Sequence, residues 1–218
     1  MEEAPKQRPR PRIESLSDLI FGLALSIGAI ALVSNPPATS AGLYRDIITF
    51  SFNFFVLISI WLRYTRIMSV LPLETRETIG LNTVLLFTVT MEPFLFNILR
   101  SGNSASPASI SLFEAASFLY GIDLGAMMFI IGVFTLALAS EEKRLVPAEM
   151  TRQLKLESAV WLIAAGIFLV SAVPVFGRTF VGGVEVTGFS LREALWFVAV
   201  LIGWVGMGVR RARFGRES

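Results

Sequence analysis

Long apolar runs, each closed by a short polar, Pro- or Gly-bearing stretch, repeat along the whole chain. The first, R-I-E-S-L-S-D-L-I-F-G-L-A-L-S-I-G-A-I-A-L-V from Arg12 to Val33, is almost free of polar residues beyond Asp18. It is a bilayer's worth of helix, because about 20 residues cross a hydrocarbon core of ~30 Å. The pattern predicts a helix from about Ile13 to Ser34, stopped at Asn35-Pro36-Pro37 where the tandem proline cannot continue it. Ser15 or Ser17 can accept a backbone N–H at its start, and Asp18 sits where the helix dipole favours a negative charge.

The same reading gives further spans from about Gly42 to Arg63, Thr78 to Leu99, Ser109 to Ala139, Glu157 to Phe176 and Leu191 to Val209. Glu92-Pro93 is expected near the outer end of the third, and Pro174 is expected to kink or end the fifth. Between the fifth and sixth, R-T-F-V-G-G-V-E-V-T-G alternates around a Gly pair and predicts a short hairpin. Gly203, Gly206 and Gly208 would allow close helix packing. Glu114 and Asp123 near the fourth span could line an outer vestibule or cap that helix, and Glu141-Glu142-Lys143-Arg144 reads as a solvated loop.

Composition turns this pattern into a class. Apolar residues make up 54% of the 218, and only 17% are charged, too little polar surface for a soluble domain of this length. The chain has no Cys and no His, which removes disulfides, thiol nucleophiles and the commonest zinc and haem ligands. Residues 1–11 read as a basic tail rather than a signal peptide, because the following helix is too long and lacks a cleavage pattern. The expected organisation is that tail, a transmembrane domain over 12–210, and a second basic tail over 211–218.

Charge sets the orientation. With six spans, one side carries Lys6, Arg8, Arg10, Arg12, Arg63, Arg66, Arg76, Lys143, Arg144, Arg152, Lys155, Arg210, Arg211, Arg213 and Arg216. The other side carries Arg45, Arg100, Arg178 and Arg192. The positive-inside rule then places both termini in the cytoplasm of an all-α, multi-pass protein of the cell membrane.

Polar residues within the spans hold the candidate chemistry, because a polar group facing lipid is costly. Ser17, Asp18, Trp61 and Asn82 fall near the cytoplasmic ends of the first three spans and could form one hydrogen-bonded knot. They could equally be unrelated interfacial residues, a common place for Trp. Leu23, Ile27 and Ile30 share one face of the first helix, with Ser26 beside them. That stripe is either packing or lipid contact or, if copies of the helix surround an axis, a hydrophobic constriction. Ser26 either bonds back to its own helix or offers a hydroxyl to the axis. Periodicity does not choose between these readings.

An ordered set of motifs does. R-I-E-S-L-S-D at Arg12–Asp18 resembles the R-x-x-x-F-S-D signature of the endosomal/lysosomal potassium channel family and its prokaryotic homologues. S-F-N-F-F-V-L-I-S-I-W at Ser51–Trp61 is similar to the family's S-F-x-x-I-x-x-x-W. L-N-T-V-L-L-F at Leu81–Phe87 and then Pro93-Phe94 resemble its L-N-x-x-x-L-F and P-F. The resemblance covers the first three helices; the last three match in general character. It implies a homotetramer of six-helix subunits in the lipid bilayer, with a central pore lined by the first helix and no T-V-G-Y-G filter, a string absent here. It also implies a narrowest layer at Leu23, further rings at Ile27 and Ile30, and a hydroxyl layer linked to potassium preference at Ser26. Arg12, Ser17, Asp18, Trp61 and Asn82 would form the network holding the pore helix.

The chain departs from the pattern in places. Leu16 replaces the motif's Phe, Leu19 stands where bacterial relatives often have Gly, and Arg63-Tyr64 occupies the place of a common His pair. The network therefore lacks imidazoles. Ser26 in place of the frequent Thr keeps the hydroxyl and drops a methyl, which points to weaker preference for potassium over sodium. The expectation is a potassium-permeable channel with no cofactor beyond permeant K⁺, no metal and no nucleic-acid partner. A proton-coupled or secondary transporter and a non-conducting membrane assembly protein are the alternatives. An enzyme is not expected, since no span carries a nucleophile with a base.

Overall fold

The computed structural model describes residues 12–34, 36–71, 75–101, 107–140, 145–178 and 190–214, with the side chains of 12–14, 101, 107–110, 148–149, 178 and 205–214 outside the description. Seven helices make up this part: α1 (Arg12–Ser34), α2 (Ser40–Met68), α3 (Arg76–Ser101), α4 (Pro107–Leu138), α5 (Ala148–Ser171), α6 (Pro174–Arg178) and α7 (Leu191–Phe214). Among the described residues, five helices (α1 to α5) are long and apolar enough to cross a membrane. The sixth expected span lies within α7, a helix of 24 residues whose later side chains are outside the description. The expected hairpin and the Glu141–Arg144 run also lie outside the described residues.

Local chemistry explains most boundaries. Thr39 caps α2, its side-chain oxygen accepting from the Gly42 N–H at 3.1 Å. α5 ends at Ser171, and Pro174 opens the short α6, where a missing N–H costs nothing. Two expectations change here. The fifth helix begins nine residues before the predicted Glu157, at Ala148, so Glu157 lies well inside it. Glu92-Pro93 does not mark the end of α3: the helix continues through Pro93 to Ser101. Its neighbours on both sides hold the helical path despite the hydrogen bond that Pro93 cannot make.

α4 is the centre of the bundle, packed most extensively on α5 and also on α3 and α2, while α7 packs on α5 and reaches α4 and α2 through ring contacts of Trp196 with Tyr120 and of Phe197 with Phe52. Water does not drive helices together inside lipid, so the fit of small residues matters. A Cβ added to Gly132 would come within 2.8 Å of Leu162, and one added to Gly125 within 2.9 Å of Leu169. Ser158 of α5 uses this closeness, its hydroxyl donating to the Gly132 carbonyl at 2.8 Å. Close small-residue packing is thus found on α4; of the glycines where it was expected, Gly203 has no atom within 4 Å of an added Cβ, and the surroundings of Gly206 and Gly208 lie outside the description.

Candidate functional site

α1 has two unlike faces. Ser17, Phe21, Ala24 and Gly28 recur at i, i+4, i+7 and i+11 and turn inward on the bundle; all four are buried. The opposite face carries Leu16, Leu19, Leu23, Ser26, Ile27, Ile30 and Val33, all exposed. Leu23 is 56% exposed, Ile27 44% and Ile30 61%, so the three candidate constriction residues lie on the side that its own subunit leaves uncovered.

The inward face is anchored at both ends. Near the start, the Trp61 indole N–H donates to Asp18 Oδ1 at 3.1 Å, and the Tyr64 hydroxyl donates to Ser17 Oγ at 2.8 Å. The two donors are three residues apart on α2 and meet two adjacent acceptors on α1, which fixes the rotation of one helix against the other. Phe21 adds a tilted ring contact to Tyr64 at 5.7 Å. Near the far end, the Arg100 guanidinium donates to the Ala31 carbonyl at 2.7 Å while pairing with Asp46 at 3.0 Å. One α3 side chain therefore joins α1 and α2. From Ser17 to Ala31 is roughly 21 Å of helix, and the exposed stripe lies between these anchors on the opposite side.

Of the five residues proposed for the network, the structure brings Ser17, Asp18 and Trp61 together with Tyr64. Asn82 is buried on α3, but its Oδ1 has no hydrogen-bond partner among the described residues. Arg12 begins α1, and its side chain lies outside the described residues. The Ser26 hydroxyl donates to the Gly22 carbonyl of its own helix at 2.8 Å. With its proton so committed, the oxygen lone pairs are what remain to face outward.

Sequence reasoning missed Tyr64 as a member, although it stands in the place of the family's imidazoles. It also missed Arg63, counted above as a basic marker of the inner side. Arg63 is buried and pairs with Glu157 of α5 at 3.0 Å, with Thr135 of α4 at 3.5 Å from its guanidinium. An Arg inside an apolar helix needs a carboxylate partner, and Glu157 at the predicted start of the fifth span was the available signal.

Residues 12–93, the part of the chain that holds both anchors' α1 partners and most of α3, match the family model described as the endosomal/lysosomal potassium channel TMEM175. The match takes in α1, α2 and α3 as far as Pro93. A potassium channel of Marivirga tractuosa is 34% identical over 85 residues, which is 38% of this chain and 34% of that protein. The chain thus spans about a third of that relative's length in the matched region. The fold extends further. A point variant of the potassium channel MtTMEM175, solved by crystallography in complex with a nanobody–MBP fusion protein, matches over 95% of both chains with a TM-score of 0.61 and 19% identity. The TMEM175 family and this relative are channels and not enzymes.

Proposed function

We propose that four copies of this chain assemble in the cell membrane as a potassium-permeable channel, with α1 of each copy lining a central pore. In this reading α7 is the sixth span and both termini are cytoplasmic. Leu23 forms the narrowest ring, with Ile27 and Ile30 as further rings. The observation that carries the proposal is the apolar stripe of α1, uncovered along the helix while the opposite face is fastened at both ends. The potassium-channel names of the family and of the relatives support it.

The mechanism follows from the side chains. A ring of leucines is too apolar to hold water in a narrow passage, so ions cannot follow until it widens or becomes polar. Beside it, Ser26 offers an oxygen whose proton is already given to Gly22, the right polarity for replacing part of a cation's hydration. Ser17 and Asp18 hold the helix in rotation, so that loss of their partners on α2 would turn the stripe away from the axis.

Potassium flux from liposomes holding the purified protein tests this, compared with Leu23→Asn. The polar variant increases leak by wetting the constriction; absence of flux from both proteins would reject the channel. Ser26→Ala is expected to reduce the preference for potassium over sodium, and an unchanged ratio would remove Ser26 from the pathway. The transporter alternative draws on the buried acids Glu92 and Asp123. It predicts potassium movement only when a proton gradient is imposed.

A further inference from the structure

Glu92 of α3 is fully buried, and Asp123 of α4 is buried to 7% exposure, both deep within membrane-spanning helices. Glu92 Oε1, Glu92 Oε2 and Asp123 Oδ2 have no hydrogen-bond partner among the described residues. The two carboxylates lie within each other's electrostatic reach. Asn53 of α2 and Tyr120 of α4 are the polar neighbours of Glu92, but neither meets its carboxylate in hydrogen-bond geometry. Their own contact is long, with the Tyr120 hydroxyl 3.4 Å from Asn53 Oδ1.

No described Lys or Arg is ion-paired with either acid. Arg100 is held by Asp46 and the Ala31 carbonyl, and Arg192 by the Ser171 and Glu114 carbonyls. Two ionised carboxylates left this way in a low-dielectric interior would be strongly unfavourable, so they are neutralised either by protons or by a bound cation that meets both. The available donors are all oxygens (carboxylate, amide and phenol), and the chain contains no His or Cys. That donor set suits hard cations and not the softer transition metals.

We propose that Glu92, Asp123, Asn53 and Tyr120 form a binding site for a hard metal cation inside each subunit, between α2, α3 and α4 and apart from the exposed face of α1. The carboxylates supply the charge, and Asn53 and Tyr120 supply neutral oxygens from one further helix and from α4 itself. The site also touches the candidate pore helix, because a Cβ on Gly28 would lie 3.8 Å from Asn53 Nδ2. A bound ion therefore ties α2 and α3, on which α1 rests, to α4. The proposal does not depend on conduction.

The test is thermal unfolding of the purified full-length protein in detergent, in choline chloride and then in sodium, potassium or calcium chloride at matched ionic strength. At least one metal ion should raise Tm above the choline value by about 5 °C at hundredfold excess over its Kd, and which ion does so identifies the ligand. Glu92→Gln and Asp123→Asn should abolish the response and, in choline, melt no lower than the unaltered protein, because a neutral side chain needs no counter-charge. Leu23→Asn should keep the response. Equal Tm in all four salts, or a full response in Glu92→Gln, would overturn the site. Equilibrium dialysis of the unaltered protein against the radiolabelled ion needs no variant, and binding below one ion per subunit would overturn it as well. A Tm response without potassium flux would reject the pore and leave this site standing.

Discussion

α1 and α4 are the two most apolar membrane-length helices among the described residues, yet they finish in opposite surroundings. Two thirds of α4's membrane-length window (67%) is buried within the subunit, against 22% for α1. α4 spends its small residues on contact, with Gly125 and Gly132 admitting α5 to a distance no larger side chain would allow. α1 instead concentrates its contacts on a narrow seam and at two polar anchors, leaving a row of Leu and Ile facing out. Equal apolarity therefore serves two purposes. On α4 it fills the subunit's own core, and on α1 it presents a surface for something beyond the subunit.

That contrast can be broken or sharpened by mutation. The largest effect is expected at the Arg63–Glu157 pair, which ties α2 and α5 beside Thr135 of α4. Glu157→Ala should cost about 3–5 kcal/mol, because it leaves a buried guanidinium without its charge partner. Denaturant unfolding in detergent measures it, and replacing both partners with apolar residues of similar volume should recover most of the loss. Gly132→Val should cost about 1–3 kcal/mol by forcing Leu162 from its place. A fully retained Tm in that variant would show that the α4–α5 seam is looser than described.

Changes on α1 and at its anchor on α2 should be smaller in stability and larger in function. Tyr64→Phe removes the bond to Ser17 and should cost about 1 kcal/mol, while altering potassium flux through the rotation of α1. Leu23→Asn should change stability by no more than about 0.5 kcal/mol, since the site is exposed on the single subunit, yet it should raise leak. A large loss of stability from Leu23→Asn, with no change in flux, would mean that the outward face is packing and not a passage.

The bundle's class and the location of most helices were legible in the sequence because bilayer thickness imposes a length on every apolar run. The amino-terminal motifs were equally legible, and Ser17, Asp18 and Trp61 meet with Tyr64 at one place in the structure. Tyr64 was visible only as a departure from a His pair. Its hydroxyl reaches Ser17, a contact set by the crossing of α1 and α2 and not by spacing along either. Arg63 was counted as a positive marker, although its charge is offset by Glu157. Glu92 was assigned to a helix end because Pro93 follows it, yet the surrounding helices carry α3 straight through.

By itself, then, the order of residues determined that this chain forms membrane-length helices, and which segment carries the family signature. Apolar content and local spacing are properties of a single helix, and a single helix expresses them wherever it lies. Which face of α1 stays open, which acids are buried and which glycines take close contact were decided only by the tertiary structure. Those outcomes depend on the relative rotation and separation of helices far apart in the chain, and no local pattern encodes either quantity.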